Sequence, residues 1–402
     1  MKFKGVDYYK MDELLSEEEK MTRNLAREFL QDEFEPLVLD AFHKEEPLDM
    51  HRLAPRIGEL GLIGPFIPQK YGGAETNYVT FGLICQEMER VDSALRSFIA
   101  VQSGLVMYPI WQYGSEEQKR KWLPALARGE KIGCFGLTEP NRGSDVASME
   151  TIAKKDSKGW IINGTKQWIT DAAKADFAIV WAQTDEGVRG FIVERGTEGL
   201  TQNFQNRKGS MRASDVGELG LSDCRVPLEN VLPNAIGLKS LFSCLNQARY
   251  GITWGALGIA MDCYEIALNY TKEREQFGAP LASYQLVQEK LVAMLLEITK
   301  GQLVAHRLGR LMDEGEATHA QISLGKKNNV AAARMCARTA RELLGANGIS
   351  LAYSVIRHMA NIESVYTYEG TDDIHTLILG SDITGIPAFR RCSEPLKLDT
   401  LG

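Results

Sequence analysis

The residues with the clearest potential for chemistry lie near the C-terminal end, in residues 367–375 (TYEGTDDIH). There Glu369 stands between Tyr368 and Gly370. A carboxylate enclosed in a dry cavity has a raised pKa, because burial disfavours its charged form, and it can then serve as a general base. The alternative is structural: Glu369 would only cap a helix that begins near Thr371. An isolated Glu would favour the structural interpretation.

Four earlier stretches have the composition of ligand-contacting loops and helix ends. Residues 135–145 (FGLTEPNRGSD) predict a loop leaving a strand, with backbone amides free to bind a ligand. Residues 166–172 (KQWITDA) contain a Trp, a residue type that is usually part of a core. Residues 274–281 (REQFGAPL) predict a helix end closed by Gly278, and residues 341–348 (RELLGANG) predict a further turn. Each stretch alone is compatible with a plain structural role.

The composition is that of an ordinary globular protein. The 402 residues are enough for two or three domains, and 44% of them are hydrophobic and 25% charged. The net charge of −7 gives no reason to expect nucleic acid or an anionic membrane as a partner. The seven cysteines are odd in number, and neither they nor the six histidines show metal-ligand spacing. We therefore expect a reduced, intracellular protein without a disulfide framework or a metal centre.

The start of the sequence does not resemble a targeting signal. Residues 1–7 (MKFKGVD) lead into an acidic segment, unlike a signal peptide or an Arg- and Ser-rich transit peptide. No apolar run in the sequence reaches the length of a membrane span, so we expect no membrane insertion. We expect a cytoplasmic protein, or one of the mitochondrial matrix if the sequence is the mature form of a eukaryotic protein.

The pattern of apolar residues divides the chain into three parts. Residues 16–128 predict helices, with Ser16 as an N-cap followed by three Glu in the first turn. Residues 131–233 consist of short alternating segments that predict a small β-barrel or sandwich. Helical periods return in residues 281–312 and 321–344. We therefore predict a helical domain, a β domain and a second helical domain, covering residues 1–130, 131–237 and 238–402.

Three segments of the β part are predicted in more detail. Residues 178–182 (AIVWA) and 190–193 (GFIV) are expected to be buried strands. Residues 160–166 (WIINGTK) are expected to form a hairpin around the Asn-Gly pair, which favours tight turns.

In this order, the five stretches resemble those of the acyl-CoA dehydrogenases. The resemblance implies an α+β, mainly α fold, with an N-terminal helical domain, a central β-barrel-like domain and a C-terminal four-helix bundle. It also implies FAD as the cofactor and a homotetramer. Arg274, Phe277 and Gln285 would hold the pyrophosphate and adenine of a flavin that is bound mainly by a neighbouring subunit.

The resemblance also implies a reaction. In this family the Glu of the Tyr-Glu-Gly-Thr run removes a proton from the carbon next to a thioester carbonyl, so Glu369 would be the catalytic base. The enolate oxygen would accept hydrogen bonds from the backbone N–H of Glu369 and from a ribityl hydroxyl of FAD. The hydrogen on the β-carbon would leave as a hydride to flavin N5.

The same resemblance assigns residues to the flavin. Leu137, Thr138 and the ring of Trp168 would contact the flavin ring, and Thr170 would bond near its reactive nitrogen. Asp171 stands where family members usually have Asn, which would add a negative charge close to the flavin. The full set expected to bind FAD is Phe135, Leu137, Thr138, Ser144, Trp168, Ile169, Thr170, Arg274, Phe277, Gln285, Glu342, Leu343, Gly345, Thr371 and Asp373.

The acyl chain is indicated by residues 89–97 (ERVDSALRS), which together with residues 101–106 resemble glutaryl-CoA dehydrogenases. In those enzymes the Arg matching Arg96 binds the far carboxylate of the glutaryl chain, and the Ser matching Ser97 supports it. An Arg inside an apolar pocket is costly unless it faces an anion, although on a helix surface it would be an ordinary solvated charge. The other residues expected to bind the substrate are Glu89, Ser144, Phe242, Asn246, Arg249, Tyr368 and Gly370.

Tyr368 and Glu89 match the decarboxylating members of that subfamily. We therefore predict FAD-dependent oxidative decarboxylation of glutaryl-CoA to crotonyl-CoA and CO₂, with an electron-transfer flavoprotein as electron acceptor, in the breakdown of lysine, tryptophan or aromatic compounds. Three alternatives stay open: a non-decarboxylating glutaryl-CoA dehydrogenase, a short-chain acyl-CoA dehydrogenase or oxidase, and a helical scaffold without catalysis. Arg96 argues against the second, because short-chain oxidases lack an Arg at the matching position. Glu369 argues against the third.

Overall fold

Helices occupy both ends of the chain and strands occupy its middle. The computed structural model describes residues 7–205 and 207–387. The N-cap predicted at Ser16 is confirmed, because Ser16 Oγ accepts a bond from Glu19 N–H at 3.2 Å and Glu19 Oε2 accepts one from Ser16 N–H at 2.8 Å. π-Helical turns at Leu30–Phe34 and Val101–Met107 extend the first and fifth helices. The helices of this part are α1 (Glu17–Phe29), α2 (Glu35–Lys44), α3 (Met50–Glu59), α4 (Tyr78–Val91), α5 (Ser93–Ala100), α6 (Tyr108–Tyr113) and α7 (Glu116–Ala127).

The middle of the chain forms one mixed sheet. The strand order is β6–β7–β3–β2–β4–β5–β8, and β1 pairs in parallel with β4. The strands predicted in residues 178–182 and 190–193 are confirmed, because they lie within β4 and β5. The strands are β1 (Gly133–Gly136), β2 (Ile152–Lys155), β3 (Trp160–Thr170), β4 (Phe177–Thr184), β5 (Gly187–Glu194), β6 (Leu200–Phe204), β7 (Val216–Val226) and β8 (Val231–Ile236).

The hairpin predicted in residues 160–166 is wrong. Strand β3 runs unbroken through this segment and pairs antiparallel with β7, with a shift in register just before Gly164. A side chain at position 164 would overlap Thr151, whose Cα lies 2.8 Å from the ideal Cβ position. The glycine therefore serves a close approach of two backbones and not a turn. The turn between β2 and β3 lies earlier, where the Asp156 carboxylate accepts two backbone N–H groups at 2.8 and 3.0 Å.

The C-terminal part is helical again after a short strand pair, β9 (Glu275–Gln276) and β10 (Ala279–Pro280). Its helices are α8 (Gly237–Glu273), α9 (Gln285–Asp313), α10 (His319–Leu343), α11 (Val355–Thr367) and α12 (Asp372–Thr384). The helices predicted in residues 281–312 and 321–344 are confirmed as α9 and α10, although α9 starts four residues later. Helix α8 packs against α4, α9 and α10, so one apolar core joins the two helical parts.

The structure can be searched for membrane-spanning helices, metal sites and disulfides in the residues that it describes. No helix there is long and apolar enough to cross a bilayer. The same residues contain no group of three or more His, Cys, Asp or Glu placed to hold a metal ion. The six cysteines among them are buried and unpaired, whereas Cys392 lies outside the described residues.

Candidate active site

A cavity of about 1330 Å³ opens where the sheet meets the C-terminal helices. It is larger than the roughly 300–1,000 Å³ of a usual small-molecule pocket, so it has room for a ring system beside a thioester chain. Fifteen of the predicted site residues line it together: Ser97, Phe135, Leu137, Thr138, Ser144, Trp168, Ile169, Thr170, Phe242, Asn246, Arg249, Tyr368, Glu369, Gly370 and Thr371.

Glu369 lies in the short loop between α11 and α12. The cap of α12 is Thr371, whose Oγ1 accepts a bond from Ile374 N–H at 3.2 Å, so Glu369 is not the cap. Its backbone has a positive φ of 54°, and Gly370 follows with a φ of 94°. Glu369 Oε2 is enclosed, with no hydrogen-bond partner within residues 7–205 and 207–387. The free carboxylate oxygen is therefore available to a ligand in the cavity.

The charge of Glu369 is set by opposing neighbours. Burial raises the pKa of its carboxyl group, and the negative charge of Glu89 raises it further. The cations Arg96, Lys326 and Arg249 oppose this shift, yet the net direction is upward. A carboxylate with a raised pKa is a stronger base than one in water, which suits proton abstraction.

Two buried cations hold the backbone around Glu369. Lys326 Nζ donates to the carbonyl oxygens of Tyr368 and, at 2.6 Å, Gly370. Arg249 Nε donates to the carbonyl oxygen of Glu369 at 2.9 Å. Burial lowers the pKa of Lys326 to about 7, and the negative charge of Glu369 opposes that shift. Three consecutive carbonyl groups are thus fixed by side chains from α8 and α10.

Arg96 lies behind the cavity wall, in contact with the lining residue Tyr368. Its side chain is fully buried, Nε donates to Glu89 Oε2 at 2.8 Å, and Nη2 donates to the hydroxyl of Tyr368. Arg96 Nη1 and Glu89 Oε1 are enclosed and have no partner among the residues that the structure describes. Neither Arg96 nor Glu89 lines the cavity itself, but Tyr368 and Ser97 do. Arg96, Glu89 and Tyr368 therefore form a polar network that reaches the cavity through Tyr368.

Another part of the cavity wall exposes an aromatic ring. Trp168, which the sequence would usually place in a core, is 55% exposed and has a positive φ of 60°. Thr170 also lines the cavity, and its Oγ1 is 3.5 Å from Ser97 Oγ. The buried Lys166 holds the adjoining loop by donating to the Leu137 carbonyl at 3.1 Å. An exposed indole beside hydroxyl groups fits the flat face of a flavin, so this wall could hold the FAD that the sequence resemblance implies.

Burial opposes the negative charge expected at Asp171. Burial, and then the charge of Asp215, raise the pKa of the Asp171 carboxyl group well above its usual value. Asp171 Oδ2 accepts a bond from Gln102 Nε2 at 3.3 Å, as an Asn side-chain oxygen would. The Asp side chain therefore keeps the hydrogen-bond acceptor that an Asn would supply at this position.

Seven predicted flavin residues lie away from the cavity: Arg274, Phe277, Gln285, Glu342, Leu343, Gly345 and Asp373. Phe277 is 98% exposed at the tip of the β9–β10 turn. Asp373 lies between the lining residues Thr371 and Ile374, whereas none of the other six has a sequence neighbour in the lining of this cavity. For Arg274, Phe277 and Gln285 the resemblance implies a flavin that is bound mainly by a neighbouring subunit, and this stays a prediction.

Sequence reasoning missed Lys326 and several lining residues. The signal for Lys326 was a charge on the apolar stripe of α10, four residues from both Ile322 and Val330, where a Lys needs a buried partner. Val101, Leu105 and Ile374 also line the cavity and lie within stretches quoted above, but they were given no role. The other missed lining residues lie outside those stretches: Val146, Lys208, Ser210, Met211, Val216, Lys239, Ser243, Leu245, His319, Glu363, Ser364 and Ile378.

Three family models cover most of the chain. The N-terminal domain of acyl-CoA dehydrogenases matches residues 16–130, the middle domain matches 134–224, and the C-terminal domain matches 236–384. The chain belongs to the acyl-CoA dehydrogenase family. The family and the fold class expected from the sequence are therefore confirmed.

The chain is similar to relatives of two kinds, named glutaryl-CoA dehydrogenase and short-chain specific acyl-CoA dehydrogenase. The chain is 33% identical over 391 residues to a glutaryl-CoA dehydrogenase of Desulfococcus multivorans, covering 95% of this chain and 100% of that protein. It is 32% identical over 380 residues to the mitochondrial short-chain specific acyl-CoA dehydrogenase of Mus musculus, covering 92% and 90%.

A solved structure is more similar in sequence. Glutaryl-CoA dehydrogenase from Mycobacterium smegmatis is 49% identical, with a TM-score of 0.93, and the match covers 94% of this chain and 97% of that one. A second structure of a glutaryl-CoA dehydrogenase from that organism, in complex with FADH2, has the same identity and TM-score and covers 95% and 98%.

Proposed function

We propose that this protein oxidises and decarboxylates glutaryl-CoA to crotonyl-CoA and CO₂, with FAD as its cofactor. The observation that carries the proposal is Arg96, a fully buried cation at the acyl end whose Nη1 has no partner in residues 7–205 and 207–387. A buried donor of this kind is costly unless a ligand completes it, and a carboxylate matches the planar fork of a guanidinium group. The 49% identity to a solved glutaryl-CoA dehydrogenase supports the same substrate.

FAD would lie along the wall formed by Leu137, Thr138, Trp168 and Thr170. When bound, it supplies an acceptor at N5 for the hydride that leaves the β-carbon of the substrate. The protein's part is to orient the acyl chain between this wall and Glu369. The apolar residues of the cavity also exclude water, which strengthens the electrostatic interactions inside it.

Glu369 removes the proton from the α-carbon of the thioester. Its enclosed Oε2 has no protein partner among the described residues, and its raised pKa makes it a competent base. The negative charge that develops on the thioester oxygen is stabilised by the backbone N–H of Glu369. Loss of the α-proton to Glu369 and of the β-hydride leaves the α,β-double bond of glutaconyl-CoA.

Decarboxylation follows at the other end of the chain. The bond between the γ-carbon and the terminal carboxylate breaks, CO₂ leaves, and the electron pair enters the conjugated system as a dienolate. Protonated Glu369 returns a proton to the γ-carbon and gives crotonyl-CoA. Arg96 orients the carboxylate before it departs, and the bonds from Arg96 to Glu89 and Tyr368 hold the guanidinium in place.

The test is anaerobic mixing of the purified, FAD-loaded enzyme with glutaryl-CoA and, separately, with butyryl-CoA. The visible band of the flavin is followed and the products are analysed. We expect rapid bleaching by glutaryl-CoA with release of crotonyl-CoA and CO₂. Glutaconyl-CoA as the final product would keep the substrate and contradict decarboxylation. Bleaching by butyryl-CoA alone would favour a short-chain acyl-CoA dehydrogenase, which the 32% identity to the mouse enzyme keeps as the second candidate.

The electron acceptor and the assembly are part of the proposal. Reduced enzyme is expected to pass its electrons to an electron-transfer flavoprotein, and formation of peroxide from oxygen would indicate an oxidase. The assembly is expected to be a homotetramer, as the sequence resemblance implies. The exposed Arg274, Phe277 and Gln285 do not line the cavity described above, which supports a flavin site that another subunit completes. A location in the cytoplasm or the mitochondrial matrix stays a prediction.

A further inference from the structure

The loop that carries Glu369 is fixed from behind by Lys326. This side chain reaches from α10 and donates to the carbonyl oxygens on both sides of Glu369, those of Tyr368 and Gly370. Lys326 is buried and is absent from the lining of the cavity, whereas the three loop residues line it. Its ammonium group therefore acts on the backbone of the loop and does not touch a ligand.

One of these carbonyl groups belongs to the peptide unit that matters most. The Tyr368 carbonyl and the Glu369 N–H form one planar unit, and every described peptide bond is trans. In a trans peptide the C=O and the N–H point in opposite directions, so the Glu369 N–H points away from Lys326. Glu369 lines the cavity, whereas Lys326 does not. This N–H donates to no acceptor among residues 7–205 and 207–387. A free donor of this kind at a ligand cavity is suited to an oxyanion.

We propose that Lys326 is a positioning residue that polarises the Tyr368–Glu369 peptide and thereby strengthens the hydrogen bond from the Glu369 N–H to the thioester oxygen of the substrate. The bonds form one chain, from the ammonium to the carbonyl and from the N–H of the same peptide to the ligand. Hydrogen bonds linked in this way strengthen one another, most of all when one end carries a charge and water is excluded. This inference rests on the proposed function, because it assumes a thioester in the cavity.

The surroundings of Lys326 fit this assignment. Its neighbouring charges are Glu369 and Asp372, which favour the ammonium form, and Arg249 and Arg96, which oppose it. Arg249 bonds the next carbonyl, that of Glu369, and therefore acts on the Gly370 N–H. Lys326 is thus the cation directly on the peptide whose N–H belongs to the base itself. Lys326 therefore both fixes the position of the loop and places a positive charge on the Tyr368 carbonyl.

The experiment compares Lys326→Met, Lys326→Arg and Lys327→Met in the FAD-loaded enzyme. Lys327 is the matched control, because it is the next residue of α10 but forms an ion pair with Asp372 instead of bonding the loop carbonyls. The probe is crotonyl-CoA labelled with ¹³C at the thioester carbonyl, and the readout is its carbonyl stretching band by difference infrared spectroscopy. Binding to the parent should lower this frequency, because a strong donor weakens the C=O bond.

We expect the band in Lys326→Met to move back towards its frequency in free crotonyl-CoA, with Lys326→Arg intermediate and Lys327→Met unchanged. Bleaching by substrate should slow by roughly tenfold to hundredfold in Lys326→Met, less than the hundredfold to thousandfold loss typical of deleting an oxyanion donor itself. If Lys326→Met does not fold or bind FAD, Lys326→Gln keeps a donor without the charge and replaces it.

The outcomes separate this inference from the proposed function. A lowered frequency in the parent that persists in Lys326→Met would overturn the role of Lys326 and leave the thioester site intact. No frequency change in the parent would overturn the placement of the thioester carbonyl at the Glu369 N–H, and the inference with it. A loss of thermal stability alone, with an unchanged band, would make Lys326 a structural residue only.

Discussion

Replacing Glu369 by Gln removes the proposed base and keeps a side chain of nearly the same shape. The variant should still bind FAD and remain yellow, because the wall that holds the flavin is untouched. Bleaching by glutaryl-CoA should fall by at least about a hundredfold, the lower range for loss of a general base. Absorbance spectra with and without substrate under anaerobic conditions check both points. Bleaching at the parental rate would remove Glu369 as the base.

The dependence of bleaching on pH follows from the direction of the Glu369 shift. The base works in its charged form, so a raised pKa means that activity is lost as the pH falls through a value above the ordinary 4.5 of a Glu. Arg96, Lys326 and Arg249 lower this pKa and Glu89 raises it. Removing the Lys326 cation should therefore move the acid limb of the profile to higher pH. Single-turnover rates from pH 5 to 9 measure this, and Lys327→Met should leave the limb in place.

Substrate choice at the residue level depends on Arg96. Arg96→Ala leaves the buried Glu89 unpaired, so the comparison is best made with Glu89→Gln present in both the test and the reference protein. In that background Arg96→Ala should lower kcat/KM for glutaryl-CoA by at least about 30-fold, since loss of one partner of a buried charge pair costs roughly 2 kcal/mol or more. Butyryl-CoA, which has no terminal carboxylate, should be affected far less. An equal loss for both substrates would contradict the carboxylate role.

Site residues that are close together in the sequence could be predicted from their motif. Site residues that only the fold brings together could not. Tyr368, Glu369 and Thr371 are contiguous, so their motif is readable and the structure places all three at the cavity. Lys326 is 42 positions from Tyr368 in the sequence. The two residues meet because the fold brings α10 against the loop. A charge inside an apolar helical stripe signals a buried partner, but nothing local in the sequence says which partner.

At the scale of elements, α8 is packed against α4 and α5 so closely that one position requires a glycine. A methyl group at Gly255 would overlap Glu89 Oε2 and lie 2.9 Å from Arg96 Cγ. Gly255→Ala should therefore push the Glu89–Arg96 pair out of place and destabilise the protein by about 1–3 kcal/mol. Thermal unfolding and the ratio of glutaryl-CoA to butyryl-CoA activity report the two effects, and both should fall.

The matched control lies in α12. A methyl group at Gly380 would meet no heavy atom within 4 Å, so Gly380→Ala has only the helix propensity of Ala to add, about 0.5–1 kcal/mol in favour of folding. Opposite changes in melting temperature for the two Gly-to-Ala variants are expected. An unaltered substrate ratio in Gly255→Ala would show that the acyl end tolerates a shift of α8.

Helices were predicted correctly where their apolar pattern continues over many turns. Helices α9 and α10 carry repeated apolar positions over many turns, and the sequence located them to within a few residues. The hairpin predicted in residues 160–166 was wrong because Asn-Gly favours a tight turn locally. Here Gly164 is instead needed for the close approach of β3 to Thr151. The contact that decided the outcome is tertiary, and a local pattern does not contain it.

At the scale of the whole molecule, the exposed Phe277 supports the proposed assembly. The Phe277 side chain is 98% exposed and buries almost none of its apolar surface in its own chain. Arg274 and Gln285 are also exposed. In the proposed assembly this turn would cover the flavin of another subunit. The division into domains at residues 130 and 237 remains a proposal on the same scale.

Phe277→Ser should therefore weaken both assembly and retention of FAD, while the fold of each chain persists because the side chain packs on nothing in its own subunit. The measurements are the mass by sedimentation and the ratio of flavin to protein absorbance after gel filtration, with Leu228→Ser as a control on an exposed apolar residue of the β domain. A mass below that of the parent, together with lost flavin that added FAD restores in part, is the expected result. Since FAD binds the assembled form, excess FAD should also raise the mass of the variant by mass action. A variant that keeps the parental mass and its flavin would place the second half of the FAD site elsewhere on the chain.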